Sequence, residues 1–236
     1  MNGRHLMIGA WAVLVGGLSP ATAATPLALE EPAGIALLAA STARADYGSL
    51  AQVFETQANL AYCGVASTVM VLNSLRWPAP EVPGYGPYRF WTQLNLFTPE
   101  ATRAVLAPEQ VAREGMTLQQ LQGLLRSHGL QAQRLHGDQL SVVALRTLLR
   151  RSLADPADRL LVNYDRRGLG QEGSGHIAPL AAYNAHSDQV LILDVARYRY
   201  PAVWVAVTDL WQAINTVDTS SGRSRGLVVV RPSTNE

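Results

Sequence analysis

At Asp158 the hydrophobic pattern of this 236-residue chain changes period, and that change limits the folds open to it. Upstream, apolar residues recur at helical spacing. Val65, Val69 and Leu72 follow Cys63 and predict a buried helix to about Leu75, stopped before Pro78, Pro80 and Pro83. Thr98-Pro99-Glu100 reads as an N-cap with proline at the first helical position. Thr117 to Gln120 form a capping box for a helix carrying Leu118, Leu121, Leu124 and Leu125 and ending at Gly129. Ser141 caps another, running to about Leu153. Downstream, period-two apolar segments take over: Leu160 to Tyr164, Ile177 to Tyr183, Val190 to Val195 and Leu227 to Val230. One helix, from about Asp209 to Val217, interrupts them. A helical first half and a stranded second half, without strand–helix alternation, predict an α+β fold with the helices packed on an antiparallel sheet.

The N-terminus predicts export. Arg4 and His5 precede an apolar run from Leu6 to Leu18, and Ser19 to Ala23 offers an A-x-A cleavage site. The run is too short to span a bilayer, so the mature form is expected to have no membrane span. This divides the chain into a signal peptide (1–23), an arm rich in Ala, Pro and Glu (24–46, a tether or a surface-lying segment) and one domain (47–236). The expected location is periplasmic or secreted. Hydrophobic residues make up 48% of the chain, enough for a proper core, and a formal charge of +1 gives no nucleic-acid footprint.

The chain has one cysteine, so an exported form holds an unpaired thiol. Cys63 is expected at the first turn of its helix, where backbone N–H groups and the helix dipole favour thiolate. Gly64 lets a substrate backbone approach, and Gln57 can offer a side-chain amide to an oxyanion. A buried structural cysteine is the competing reading. Among the histidines, His128 is placed as a helix C-terminal dipole partner, and His136 and His186 are expected to be solvated. His176 differs. It follows the glycine-containing run 168–175 and opens an apolar strand, so it is the candidate base for Cys63. A hairpin centred near residue 185 sets Asp194 across from or diagonal to His176, able to orient the ring. Asp218 and Arg225 flank a tight loop and could hold an amino acid's ammonium and carboxylate, although on these residues alone a surface ion pair is the default. No His/Cys/Asp cluster has zinc-ligand spacing, so no protein-bound metal is expected.

Four ordered segments then carry a resemblance: Gln57…Ala61-Tyr62-Cys63-Gly64-Val65-Ala66-Ser67, Gly175-His176-Ile177-Ala178-Pro179-Leu180, Leu193 to Pro201, and Asp218-Thr219…Gly222…Arg225-Gly226. Together they resemble phytochelatin synthases, papain-clan glutathione transpeptidases, over roughly Leu50 to Pro232. The resemblance implies a papain-like fold, Cys63 as nucleophile, His176 as acid/base, Asp194 as its orienter and Gln57 as oxyanion donor. It implies that Asp218 and Arg225 bind a γ-glutamyl end, helped by Asn163 and the backbone at Gly175. It further implies glutathione as substrate, no tightly bound cofactor, and heavy-metal ions such as cadmium or zinc entering as glutathione thiolate complexes. Arg197 matches a family position without a clear role. The chain looks like the short bacterial form, which tends to cleave glutathione rather than polymerise it. Two other readings remain: a papain-clan peptidase acting on ordinary peptides, and a non-catalytic exported thiol- or metal-binding protein. Oligomeric state is not legible, and a homodimer is one of the forms the sequence allows.

Overall fold

The computed structural model describes residues 25–233, so the expected signal peptide lies outside the described residues. In chain order the elements are β1 (Leu27–Ala28), α1 (Pro32–Ala40), α2 (Tyr47–Gln52), α3 (Cys63–Ser74), α4 (Glu100–Val105), α5 (Pro108–Glu114), α6 (Leu118–Ser127), β2 (Gln131–His136) and α7 (Val142–Ser152). They continue with β3 (Arg159–Asp165), β4 (Gly175–Asn184), β5 (Gln189–Ile192), β6 (Val203–Ala206), α8 (Val207–Ile214), β7 (Val217–Asp218), β8 (Arg223–Ser224) and β9 (Gly226–Arg231). This is the α+β arrangement expected from the change of period.

Seven strands form one antiparallel sheet in the order β1-β6-β5-β4-β3-β9-β2. Helices cover both faces. Residues of α3 and α6 pack with Leu161, Ile177, Ala181 and Val228 on one side, while residues of α7 and α8 pack with Leu160, Val162, Leu180 and Val229 on the other. Every residue of β3 is therefore buried, which is why that segment reads as an almost continuous apolar run rather than a clean alternation.

Local chemistry sets several boundaries. Thr117 and Gln120 make the expected reciprocal capping box at α6, and the Ser141 hydroxyl accepts from the Ala144 N–H at 3.1 Å to start α7. Thr98 does not cap α4. Its hydroxyl bonds the Asn95 carbonyl, and Pro99 is the residue preceding the first turn. α8 begins at Val207, ahead of the expected Asp209.

The 24–46 arm is not a loose tether where it is described. β1 extends the sheet by pairing with β6, α1 accepts a hydrogen bond from Trp204 Nε1 at the Gly34 carbonyl, and Ala43 bridges Tyr183. The first two contacts depend on β6, a four-residue strand without a period-two signature of its own, and the third is made to β4.

Candidate active site

The site is assembled where the N-terminus of α3 meets the start of β4. All residues from Cys63 to Leu72 are buried, so the helix runs through the core and brings its first residue to the rim. The Ser67 hydroxyl donates to the Ile177 carbonyl at 3.1 Å and locks this first turn against β4, beside His176. Burial alone would push the Cys63 thiol up. A hydrogen bond with His176, the imidazolium charge and backbone contacts at Ile177 and Gly64 outweigh it and hold the thiol below its ordinary value.

His176 is almost fully buried, which disfavours its cation. Hydrogen bonding and charge from Asp194 and Cys63 more than offset this, and the imidazole is raised above its usual value. Nε2 lies 2.8 Å from Asp194 Oδ1, a charge contact whose N–H is not aligned on that oxygen. With Nε2 on the acid side, Nδ1 is the nitrogen left for the thiol. The Tyr164 ring stands edge-on to the imidazole, with centroids 5.7 Å apart, and helps fix its plane.

Asp194 reaches His176 diagonally. β4 and β5 pair Leu180 with Ile192, then slip at a bulge so that Ala182 pairs with Leu191. Continued past Leu180, that register sets Asp194 opposite Ala178, two residues from His176 and on the same face. The carboxylate is fully buried, which would raise it, but His176 and Arg166 hold it well below the usual carboxylate range.

A cleft of about 460 Å³ opens beside Cys63 and His176, and Asn163, Gly175, Asp218 and Arg225 also line it. Asp218 and Arg225 are only 7% and 8% exposed and make no ion pair with each other, so the surface-pair reading does not hold. Arg225 Nη1 donates to Asn163 Oδ1 at 3.0 Å, and its buried Nε has no partner. Asp218 is held in the β7–β8 turn, accepting from the Ser220 N–H at 3.1 Å. A Cβ on Gly175 would come within 2.3 Å of Arg225 Nη1, so glycine is what lets the guanidinium lie over this strand.

Gln57 is buried and does not line the cleft. Its Nε2 donates to the Asn59 carbonyl at 2.7 Å, leaving a second amide hydrogen uncommitted, and its Oε1 has no partner. Its own N–H donates to the Val195 carbonyl, tying the cysteine segment to the Asp194 loop. Arg197 is elsewhere: it stacks on Phe54 in a separate surface groove and does not line the Cys63 cleft.

Two histidines differ from expectation. His136 is buried, with Nδ1 2.6 Å from the Ser224 carbonyl, because β2 pairs with β9 beside the β8 segment. His128 is buried against Trp91, and burial depresses its pKa to about 4, so it is neutral rather than a cationic dipole partner. His186 is exposed in its turn. Sequence reasoning missed Arg166, which grips Asp194 with two hydrogen bonds of 2.6 and 3.0 Å. It also missed Tyr164. The one available signal for Arg166 was its place at the strand end before the glycine-containing run. Among the described residues no group of three or more His, Cys, Asp or Glu could hold a metal, and no helix is long and apolar enough to cross a membrane.

A nucleophile, a base and a buried orienting acid, joined in one chain of contacts, are the make-up of a cysteine acyl-transfer site. A family model described as phytochelatin synthase matches residues 22–227, and the chain belongs to that family, whose fold is papain-like. It is 34% identical over 181 residues to glutathione gamma-glutamylcysteinyltransferase 3 of Lotus japonicus, covering 77% of this chain and 36% of that protein. The corresponding enzyme 1 of Triticum aestivum is 36% identical over 77% of this chain and 35% of its own length. The Schizosaccharomyces pombe protein of that name is 29% identical, over 79% of this chain and 44% of its own. The chain thus spans little more than a third of the length of the plant relatives it matches.

Proposed function

We propose that this protein cleaves the Cys–Gly bond of glutathione through a γ-glutamylcysteinyl thioester on Cys63. The observation that carries the reading is the sharing of one cleft by Cys63 and His176 with a buried, mutually unpaired Asp218 and Arg225. A carboxylate and a guanidinium kept apart in a small cleft suit the α-ammonium and α-carboxylate of a γ-glutamyl group. An ordinary peptidase cleft has no use for such a pair at a chain-blocking position, which counts against the peptidase reading.

In the proposed reaction the Cys63 thiolate attacks the carbonyl of the Cys–Gly bond, and the Gln57 amide and Cys63 N–H receive the oxyanion. Imidazolium His176 gives its proton to the departing glycine amine. Water, deprotonated by His176, then hydrolyses the thioester to γ-glutamylcysteine; attack by the amine of a second glutathione instead yields a two-unit phytochelatin as the minor product. Heavy-metal ions enter this scheme as thiolate complexes of the substrate. Export to the periplasm or the medium fits the leader-like N-terminus. The test is mass spectrometry of products after incubation with glutathione. Glycine and γ-glutamylcysteine from the wild type, and neither from Cys63→Ser, are expected; release by Cys63→Ser at the wild-type rate would overturn the reading.

A further inference from the structure

Arg166 is a buried arginine to which the mechanism above gives no part. It is 5% exposed and sits at the first residue after β3. Nη1 donates to Asp194 Oδ2 at 2.6 Å and to Gln171 Oε1 at 2.8 Å, while Nη2 donates to Asp194 Oδ1 at 3.0 Å. Its guanidinium carbon lies 4.7 Å from the centre of the Tyr200 ring. Asp194 Oδ1 also accepts the Ala196 N–H at 2.8 Å and faces His176 Nε2, so Oδ2 has Arg166 as its hydrogen-bond partner. Without the guanidinium, one oxygen of a fully buried carboxylate would be left bare. Such a group turns, or takes up a proton.

The same side chain joins two loops. The Arg166 N–H closes the β3–β4 connection on the Ser174 carbonyl, and Gly173 packs against the Arg166 side chain. The 194–200 segment returns to this connection through the Glu172 N–H, which donates to the Tyr200 hydroxyl at 2.8 Å, and through the Arg199–Glu172 pair. His176 lies just beyond the connection, and Asp194 opens the segment. Arg166 is the buried charge between them.

We propose that Arg166 is a positioning residue that acts through Asp194, fixing which carboxylate oxygen faces His176 and keeping that carboxylate ionised at acid pH. This rests on the reading of Cys63 and His176 as nucleophile and base. His176 and Arg166 touch Asp194 and Tyr164 lies within its electrostatic reach, with Cys63 beyond His176 and Tyr200 stacked on Arg166. Arg166 is the permanent cation in direct contact with the carboxylate. Burial works to protonate Asp194, and the two cations oppose it. Removing one lets burial win at a higher pH, and an uncharged Asp194 no longer supports imidazolium. Thiolate formation at Cys63 then requires a higher pH.

The experiment measures the rate of Cys63 alkylation by iodoacetamide against pH, without glutathione, beside kcat and KM for glutathione. Proteins are the wild type, Arg166→Met, Arg166→Lys, Asp194→Asn and the Arg166→Met/Asp194→Asn pair. Arg166→Met is expected to move the acid limb of alkylation to higher pH and to lower kcat on the order of 10- to 100-fold with KM little changed, as outer-shell partners of functional histidines do. In the Asp194→Asn background the Arg166→Met change is expected to add little, because it acts through the lost carboxylate. If Arg166→Met does not fold, Arg166→Lys carries the test: lysine keeps the charge but not the two-pronged grip, so its kcat falls while its acid limb moves less. An unshifted acid limb with unchanged kcat in Arg166→Met, losses that multiply in the double variant, or a fully active Arg166→Lys would each overturn the inference. A wild type without a thiolate reactive below the ordinary thiol range would overturn the Cys63 reading instead.

Discussion

Cys63 and His176 move each other in opposite directions, the thiol down and the imidazole up, and both shifts favour the thiolate–imidazolium pair over the neutral pair. Alkylation of Cys63 is therefore expected to be fast well below the pH at which a free thiol ionises, and His176→Ala should move that onset up toward the ordinary thiol value. A His176→Ala profile superimposable on the wild type would separate the two residues. At the other end of the cleft, Gly175→Ala directs its new methyl at a flexible guanidinium tip rather than at backbone. The fold should survive, and Arg225 should swing off its place. The expected result is an unchanged melting temperature with kcat/KM for glutathione reduced by about 2–3 kcal/mol, the value of a charge-assisted contact. Wild-type kcat/KM in that variant would remove Arg225 from substrate binding. These residues were legible in the sequence because each is a chemically special type at a place the local pattern already marked. Arg166 was not, because an arginine at a strand end is ordinarily solvated, and only the three-dimensional return of the 194–200 segment buries it.

Among elements, those closed by local hydrogen bonds were the readable ones. Thr117 with Gln120, and Ser141 with Ala144, complete their caps within three residues, so α6 and α7 stand where the sequence puts them. β1 and β6 are two and four residues long and exist only by pairing with each other and with β5, contacts no local window contains. The C-terminus of α6 has a consequence for stability. His128 there caps the helix in the space between Trp91, Thr102 and Trp77, whose indole N–H donates to the His128 carbonyl. Its folded pKa, about 4, lies below the value of 6.5 for a free histidine. The unfolded chain thus binds the extra proton in that window, and stability falls as pH drops from 6.5 toward 4, by up to about 3 kcal/mol. His128→Phe, which cannot titrate, should flatten this part of the curve of unfolding free energy against pH. An equally steep fall in that variant would assign the loss to other groups. Arg159 holds the start of β3 to α2 and α3 through Asp46, Ser49 and Ser74. Burial raises the Asp46 carboxyl to about 7 even beside Arg159, so in Arg159→Met it is expected to take up a proton. The lost hydrogen bonds should cost about 1–3 kcal/mol in denaturant unfolding; no measurable loss would show the clamp to be dispensable.

At the scale of the whole molecule, a sheet covered by helices on both faces leaves chemistry to its edges and ends, and the nucleophile lies where α3 meets the start of β4. The fate of the acyl-enzyme follows from how much room that place offers. The cleft of about 460 Å³ falls toward the small end of ligand pockets, and the γ-glutamyl end of the donor is expected to occupy its charged part. An acceptor glutathione would then react from solution rather than from a site of its own. It has the better nucleophile in its amine, but it meets water at about 55 M while itself only millimolar, and no bound orientation multiplies its effective concentration. Hydrolysis is therefore expected to dominate at low glutathione. The ratio of two-unit phytochelatin to γ-glutamylcysteine should rise in proportion to glutathione concentration without saturating, whereas glycine release follows saturation of the donor site. Product ratios at several glutathione concentrations, followed in time by mass spectrometry, check this. Predominant phytochelatin at low millimolar glutathione, or a product ratio that saturates, would mean that the acceptor binds a second site beside the cleft.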